Sequence, residues 1–398
     1  MNILFLFVSL PNLNDKNSLF TSLIHEFKEQ GHNVLVSAKD YRQEQKSEVV
    51  IENDINVLRV KSHQFTRVSN PIKKALAYQE YVIKQRYLVI KHFGKEKIDV
   101  VFSHSLPPEL AWVISGIKCH FGCKFYLLQT DFTWQDAVAF GYFRKNSPVC
   151  WYYRFWEKRM FKQADYIGCP TKGNIDYILK FYPNIEKEKF QLVPFWQKAI
   201  QSNDVLDAKA NDELLKNKFV VVYGGSIGAA QRIEHILELA NETREISDIV
   251  YLILGRGAYL PVLKGMAKKQ QLTNVVFKEF LPRDEYMQLL ASCDVGMIIL
   301  NEKMATPNFP SKSLAYFNMK VPVLAALDYS TDFGHFLMNN EIGLWAYSNE
   351  IKELKKKLMM YYEDRKFFAD TKEKAYNYYI NNLQPEHAYK TIIKIIQK

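Results

Sequence analysis

The sequence predicts two doubly wound α/β domains in succession, each built on a mostly parallel sheet. Three observations carry that prediction. Short apolar runs alternate with amphipathic segments of helical period through most of the 398 residues. The runs are continuous and rich in β-branched residues, as strands buried on both faces are. The alternation also pauses at the polar stretch QKAIQSNDVLDAKANDELLKNK and restarts at Phe219.

In the first half the runs are Ile3–Val8, Val34–Ser37, Val100–Ser103, Phe125–Leu128 and Tyr166–Cys169. A helical pattern over Leu19–Gln30 ends at Gly31, a helix stop. In the second half they are Phe219–Tyr223, Ile249–Leu254, Val275–Phe277, Val295–Leu300 and Val321–Leu327. The expected domains are therefore 1–198 and 199–379, with a terminal helix over about 380–398 packing back on the first.

At 48% hydrophobic and 24% charged residues, the composition is that of a globular chain and excludes disorder. The net charge of +10 favours anionic partners such as nucleotides and phospholipids. Nucleic acid is not expected, because no recognition motif accompanies the charge. The five cysteines include Cys119 and Cys123 at C-x3-C spacing, without a second pair or a histidine cluster. They read as free thiols of a reducing compartment, and no metal site is expected. The start MNILFLFVSLPN lacks the basic region and cleavage site of a signal peptide and reads as a strand. No apolar run approaches the roughly 20 residues that span a bilayer. A cytoplasmic location follows, with the inner face of the cell membrane as a partner surface. That second expectation rests on two basic, aromatic stretches. Arg67 to Lys97 holds eight Lys/Arg against Glu80 and Glu96, and WYYRFWEKRMFK has six aromatics and four bases.

Sheets of this kind bind ligands at the carboxyl ends of their strands. After Phe219–Tyr223 comes GGSIGAAQRIEHILELA, where glycines allow a tight turn and a helix is expected from about Ala229. After Ile249–Leu254 comes GRGAYLPVLK, with Gly255 and Arg256 at the strand end. A third loop, TPNFPSKSLAYFNMK, offers Ser311 as a helix cap and Lys312 in the first helical turn. A lysine there opposes the helix dipole, and a bound anion would relieve the conflict. Each feature alone reads equally as ordinary structure: a packing turn or a solvated charge. In the first half, HSLPPE places His104 at a strand tip, and QTDFTWQDAVAFG places Asp131, Trp134 and Asp136 after another. A lone His or Asp in such a position is as readily structural as catalytic.

Taken together, the glycine turn, LILGRG, VVFKEFLPRDEYMQLLASCDVGMIIL and FPSKSLAYFNMKVPVLA resemble the nucleotide-sugar-binding half of a GT-B glycosyltransferase. The resemblance is to the retaining family 4 enzymes of bacterial surface-polysaccharide synthesis. It is close over residues 219–347 and looser in the first half. It implies a GT-B fold, two Rossmann-like domains facing a cleft, with the acceptor on the first domain and the donor on the second. The donor would be a UDP- or GDP-sugar, the acceptor lipid-linked or a glycan, and no cofactor would be needed. Carried over by position, Gly225, Ser226 and Arg232 would face the diphosphate, with Gly255 and Arg256 beside them. Phe280 and Leu281 would meet the base, and Ser311, Lys312 and Ser313 the diphosphate or sugar. Asp131 matches the leading acid of a family segment and, with His104, is the catalytic candidate. Retaining transfer of this type needs cations around the leaving group more than an acid–base pair, and no metal. The chain departs from the family where two glutamates are usual: those positions are Pro307 and Ala315. Ala315 is the more telling loss, since an acid there holds the ribose; Asn308 and Glu302 are the nearest replacements in sequence. Glu279 stands where a glycine is common. Two rivals follow: a nucleotide-sugar epimerase on the same fold, and a catalytically silent binding subunit.

Overall fold

The computed structural model describes residues 1–40, 46–63, 71–132, 134–200, 208–210, 212–228 and 231–397. Arg67, Ala229 and the linker positions 201–207 and 211 lie outside these residues. The chain divides into two compact units, Met1–Lys198 with Pro385–Lys398, and Ala199–Gln384.

The first unit is built on an eight-stranded sheet: β1 (Asn2–Leu6), β2 (Asn33–Lys39), β3 (Glu48–Glu52), β4 (Ile55–Val60), β5 (Val100–His104), β6 (Lys124–Leu128), β7 (Tyr166–Cys169) and β8 (Phe190–Leu192). Their order is β3-β4-β2-β1-β5-β6-β7-β8, parallel throughout except for the antiparallel β3–β4 pair. That hairpin is absent from the apolar runs for a physical reason. β3 lies at the sheet edge and is largely exposed, so it carries no continuous apolar stretch. Its signal is the turn instead: Asn53 and Asp54 sit at φ 49° and 59°, which suits a two-residue hairpin between twisted strands.

Strand alternation assigns the core. Ile3, Phe5 and Phe7 enter one buried cluster, whereas Leu4, Leu6 and Val8 enter another, so helices cover both faces. Phe5, Phe102 and Tyr126 stack across β1, β5 and β6 with centroids 4.9 and 5.0 Å apart. Helix Leu19–Glu29 is closed at its start by a Ser18–Thr21 capping box, and Gly31 takes φ +83° just beyond its end. The final helix, Pro385–Ile396, packs on it: Tyr389 meets Phe27 edge-on at 4.9 Å, and its hydroxyl lies 2.9 Å from His32 Nε2.

The second unit holds β9 (Phe219–Ser226), β10 (Ile249–Arg256), β11 (Val275–Lys278), β12 (Val295–Ile299), β13 (Val323–Leu327) and β14 (Gly343–Tyr347), all parallel. The order β11-β10-β9-β12-β13-β14 reverses direction at β9, so the crevice beside its carboxyl end is the natural ligand position. Buried tyrosines bring satisfied hydroxyls into this core. Tyr316 donates to the Met297 carbonyl and Tyr361 to that of Val323, each at 3.1 Å. The helix start expected near Ala229 falls outside the described residues; the α-helix Glu234–Glu242 follows Arg232, whose φ of 48° lies outside the right-handed helical region.

Candidate functional site

The ends of β9 and β10 form one backbone assembly. Gly225 pairs with Gly255 and Ser226 with Arg256 in parallel register, and the Ile227 N–H donates to the Arg256 carbonyl at 3.0 Å. The closeness of these turns demands glycine. Gly255 has φ +153°, and a Cβ there would sit 1.9 Å from the Gly225 carbonyl oxygen. Gly257 meets the Ile227 oxygen at the same 1.9 Å, and Gly224 would strike the Tyr286 hydroxyl.

Beside these turns lies a cavity of about 400 Å³, within the range of small-molecule sites. Gly225, Ser226, Gly255, Arg256, Phe280, Leu281 and Lys312 all line it. Arg283, Tyr286 and Ala315 line it too; the first two are additions to the residues expected from sequence. No acid stands among the described lining residues, while Arg256, Arg283 and Lys312 are all cationic. Phe280 is 58% exposed, with the Arg256 guanidinium 4.6 Å from its ring centroid, so a flat apolar face is held out to solvent.

Lys312 is the central cation. Its ammonium sits 4.0 Å from the Tyr223 ring centroid, and a Cβ on Gly225 would approach it to 3.2 Å. Enclosure strips it of water and lowers its pKa to about 8, so it is mostly charged at neutral pH and eager for an anion. The Tyr223 hydroxyl, donating to the Ser226 carbonyl at 2.9 Å, fixes the ring beneath it.

Six expected residues stand differently. Lys312 occupies the N-cap position of the helix Ser313–Asn318 rather than its first turn, and Ser311 makes no side-chain cap. Ser313 is fully buried and donates to the Pro310 carbonyl at 2.8 Å, so it shapes the loop instead of meeting the cavity. Ser311 is exposed and lies outside the lining. Arg232 is also outside it: its guanidinium pairs with Glu302, whose other oxygen is 3.7 Å from His235 Nε2. Asn308 turns inward and donates to the Thr306 carbonyl at 3.1 Å, so neither it nor Glu302 lines the cavity.

In the first unit, His104 ends β5 and is buried against the stacked pair Phe7 and Phe20, with ring centroids 5.3 and 5.4 Å away. Burial lowers its pKa to about 4, so the ring is neutral at physiological pH. Its Nδ1 accepts the Leu106 N–H at 3.0 Å, which places the proton on Nε2. Such a ring is a poor base and a serviceable hydrogen-bond donor. Asp131 follows β6, exposed, and its carbonyl accepts bonds from Ser105 Oγ at 2.9 Å and Gln129 Nε2 at 2.8 Å. The loops after β5 and β6 are thus tied together through Ser105.

Known proteins match both units. Residues 206–378 match the family described as Glycosyl transferases group 1, and residues 18–195 match Glycosyltransferase Family 4. The chain is 27% identical over 262 residues to a probable glycosyltransferase, WbjE, of Pseudomonas aeruginosa, covering 62% of this chain and 61% of that protein. It is 27% identical over 156 residues to a putative colanic acid biosynthesis glycosyl transferase, WcaI, of Escherichia coli, covering 36% and 38%. The matched segments therefore span less than two thirds of these relatives. Among solved structures it is similar to HepE of Anabaena in complex with UDP-glucose, with a TM-score of 0.71, 14% identity and coverage of 100% and 99%. The two units thus carry, in chain order, a family 4-like and a group 1 glycosyltransferase domain of the GT-B kind.

Proposed function

We propose that this chain is a glycosyltransferase of surface-polysaccharide biosynthesis, moving a sugar from a UDP- or GDP-sugar to a lipid-linked or glycan acceptor. The observation that carries the reading is the acid-free cavity at the β9 and β10 turns, with three cations and an exposed Phe280. A nucleoside diphosphate offers what such a surface lacks: a flat ring for Phe280 and negative charge for Lys312 and Arg256. The name of one relative, a putative colanic acid biosynthesis glycosyl transferase, and the UDP-glucose bound to a neighbour of the same fold support the same assignment.

In this mechanism Lys312, Arg256 and the Gly225–Ser226 backbone bind the diphosphate and stabilise the charge that grows on it as the sugar departs. Transfer proceeds with retention and needs no metal, because the cations already present take the leaving group's charge. Arg232 joins them once it exchanges Glu302 for the diphosphate. Arg283 and Tyr286 replace the missing acid at Ala315 in holding the nucleoside. In the first unit, the His104 Nε2–H hydrogen-bonds an acceptor oxygen and the Asp131 carboxylate accepts a hydrogen bond from an acceptor hydroxyl. As the glycosidic bond forms and the sugar–phosphate bond breaks, the attacking hydroxyl's proton passes to the departing diphosphate. A lipid-linked acceptor places the enzyme at the inner face of the membrane; no helix among the described residues is long and apolar enough to cross it.

The test is turnover of a panel of UDP- and GDP-sugars with membrane lipid extract, in excess chelator. Product that requires both donor and extract supports the reading. Donor altered without extract favours an epimerase, and loss of activity in chelator contradicts the metal-free mechanism.

A further inference from the structure

A second cavity, of about 610 Å³, lies wholly in the first unit and takes no part in the chemistry above. One wall is the helix Pro148–Gln163, which presents Arg154, Lys158 and Lys162 at i, i+4 and i+8, hence along one face. Lys189 closes the other side, and Trp134 and Tyr182 line the interior. Glu186 is the one acid among the described lining residues, 3.8 Å from Lys189. Glu157 sits behind the wall, and its carboxylate is occupied: it accepts from Trp134 Nε1 at 3.0 Å and the Tyr182 hydroxyl at 2.5 Å. Those bonds lock the two aromatic rings, so the cavity is preorganised and its rim stays cationic.

What lies beside the rim points to the ligand. On the same helix face, one turn toward the N-terminus, Trp151 is 65% exposed and Phe155 53%. The neighbouring helix Pro71–Phe93, joined by a 2.7 Å bond from the Gln79 amide to the Tyr152 hydroxyl, exposes Leu76, Ile83 and Tyr87 along one stripe with Lys84 and Lys91. Large apolar side chains left in water among lysines, on two adjoining helices, are the composition of a surface that lies in a bilayer interface. An acidic glycan would satisfy the cationic rim but gives no reason for the exposed stripes.

We propose that this cavity is a headgroup site: it takes the phosphate of an anionic phospholipid while Trp151 and Phe155 enter the interface beside it. The inference rests on the membrane-surface part of the functional reading and adds the place and chemistry of attachment.

The experiment is co-sedimentation of the full chain with phosphatidylcholine vesicles, with and without phosphatidylglycerol. Lys158→Gln/Lys162→Gln should lower partitioning onto the anionic vesicles by about tenfold or more at low salt. The charge-matched control Lys268→Gln/Lys269→Gln, on exposed positions of the second unit, should leave it nearly unchanged. Trp151→Ser/Phe155→Ser should weaken binding at all salt concentrations, whereas the lysine effect should shrink as salt rises. Equal binding to both vesicle types, equal loss in the control pair, or no binding at all overturns the proposal. So does capture of a soluble polyuronate oligosaccharide by wild type, lost in Lys158→Gln/Lys162→Gln, when vesicles do not bind. Thermal melts establish that each variant is folded. Calorimetry with UDP and GDP separates the two readings: a chain that binds anionic vesicles but neither nucleotide refutes the proposed donor and leaves the headgroup site standing.

Discussion

The ends of β9 and β10 and the ends of β5 and β6 are both carboxyl ends of parallel strands, on opposite sides of the strand-order reversal in their own sheets, and they are made of different materials. At β9 and β10 the surface is backbone and fixed charge: glycines 225 and 255 in register, with Lys312 pressed against the Tyr223 ring. At β5 and β6 it is ring and neutral dipole: His104 packed against two stacked phenylalanines and held uncharged by burial, with Asp131 tied through its main chain. The first arrangement suits a ligand whose charge is fixed and large. The second suits hydroxyl groups, which need oriented donors and acceptors rather than net charge. In the proposed function, one sheet end takes the diphosphate and the other the acceptor alcohol.

The largest expected effect comes from disturbing the backbone assembly. Gly255→Ala forces a Cβ onto the Gly225 carbonyl at a φ that side chains rarely adopt, so the two turns must part. Strain of this kind costs about 1–3 kcal/mol, and the parted turns should also lose nucleotide affinity by tenfold or more. Thermal unfolding and calorimetry would show both; an unchanged melting point with unchanged affinity would mean the turns are not rigid.

At the other sheet end, His104→Phe retains an aromatic ring against the Phe7–Phe20 pair but removes the Nε2–H. Stability and donor affinity should hold while turnover falls by up to about tenfold, the scale of one lost hydrogen bond of about 0.5–1.5 kcal/mol. Unaltered turnover would make His104 a packing residue only.

Ala315→Glu puts a carboxylate into the cavity lining near the nucleoside. Donor affinity should rise by up to about 1–2 kcal/mol if the ribose hydroxyls reach it. A weaker variant would show that Arg283 or Tyr286 already fills that space.

A smaller signal is the proton that accompanies binding. With the Lys312 pKa near 8, the free lysine is charged below that pH and neutral above it. A bound diphosphate raises that pKa, so the complex holds more protons than the free protein above pH 8, and affinity must fall as pH rises past it. At pH 9, where UDP itself is fully ionised, binding should take up roughly nine-tenths of a proton. Calorimetry in buffers of different ionisation enthalpy measures this, and Lys312→Ala should abolish it. The same depression makes the folded chain gain stability from this group between about pH 8 and the unfolded lysine value near 10.5, since the unfolded state binds more protons there.

The contrast also explains what the sequence disclosed. Long buried strands such as β9 and β10 announce themselves as continuous apolar runs, and their glycine turns announce the cavity. β3 did not, because an exposed edge strand needs no such run; the Asn53–Asp54 pair was the readable sign. Arg283 and Tyr286 lie in an ordinary-looking amphipathic helix, where nothing in the pattern separates a lining residue from a surface one. The pairing of Arg232 with Glu302 joins positions 70 apart and depends on a positive φ at Arg232, neither of which local spacing encodes. Ser311 looked like a cap because its residue type favours that role, but the helix begins two residues later.

In the proposed function, the cavity of the second unit reads a diphosphate through Lys312. Calorimetry of UDP, GDP and their bare nucleosides on wild type and Lys312→Ala tests it most directly. The variant should lose about 1.5–3 kcal/mol toward the diphosphates and almost nothing toward the nucleosides. Equal losses for both, or none for either, would contradict it.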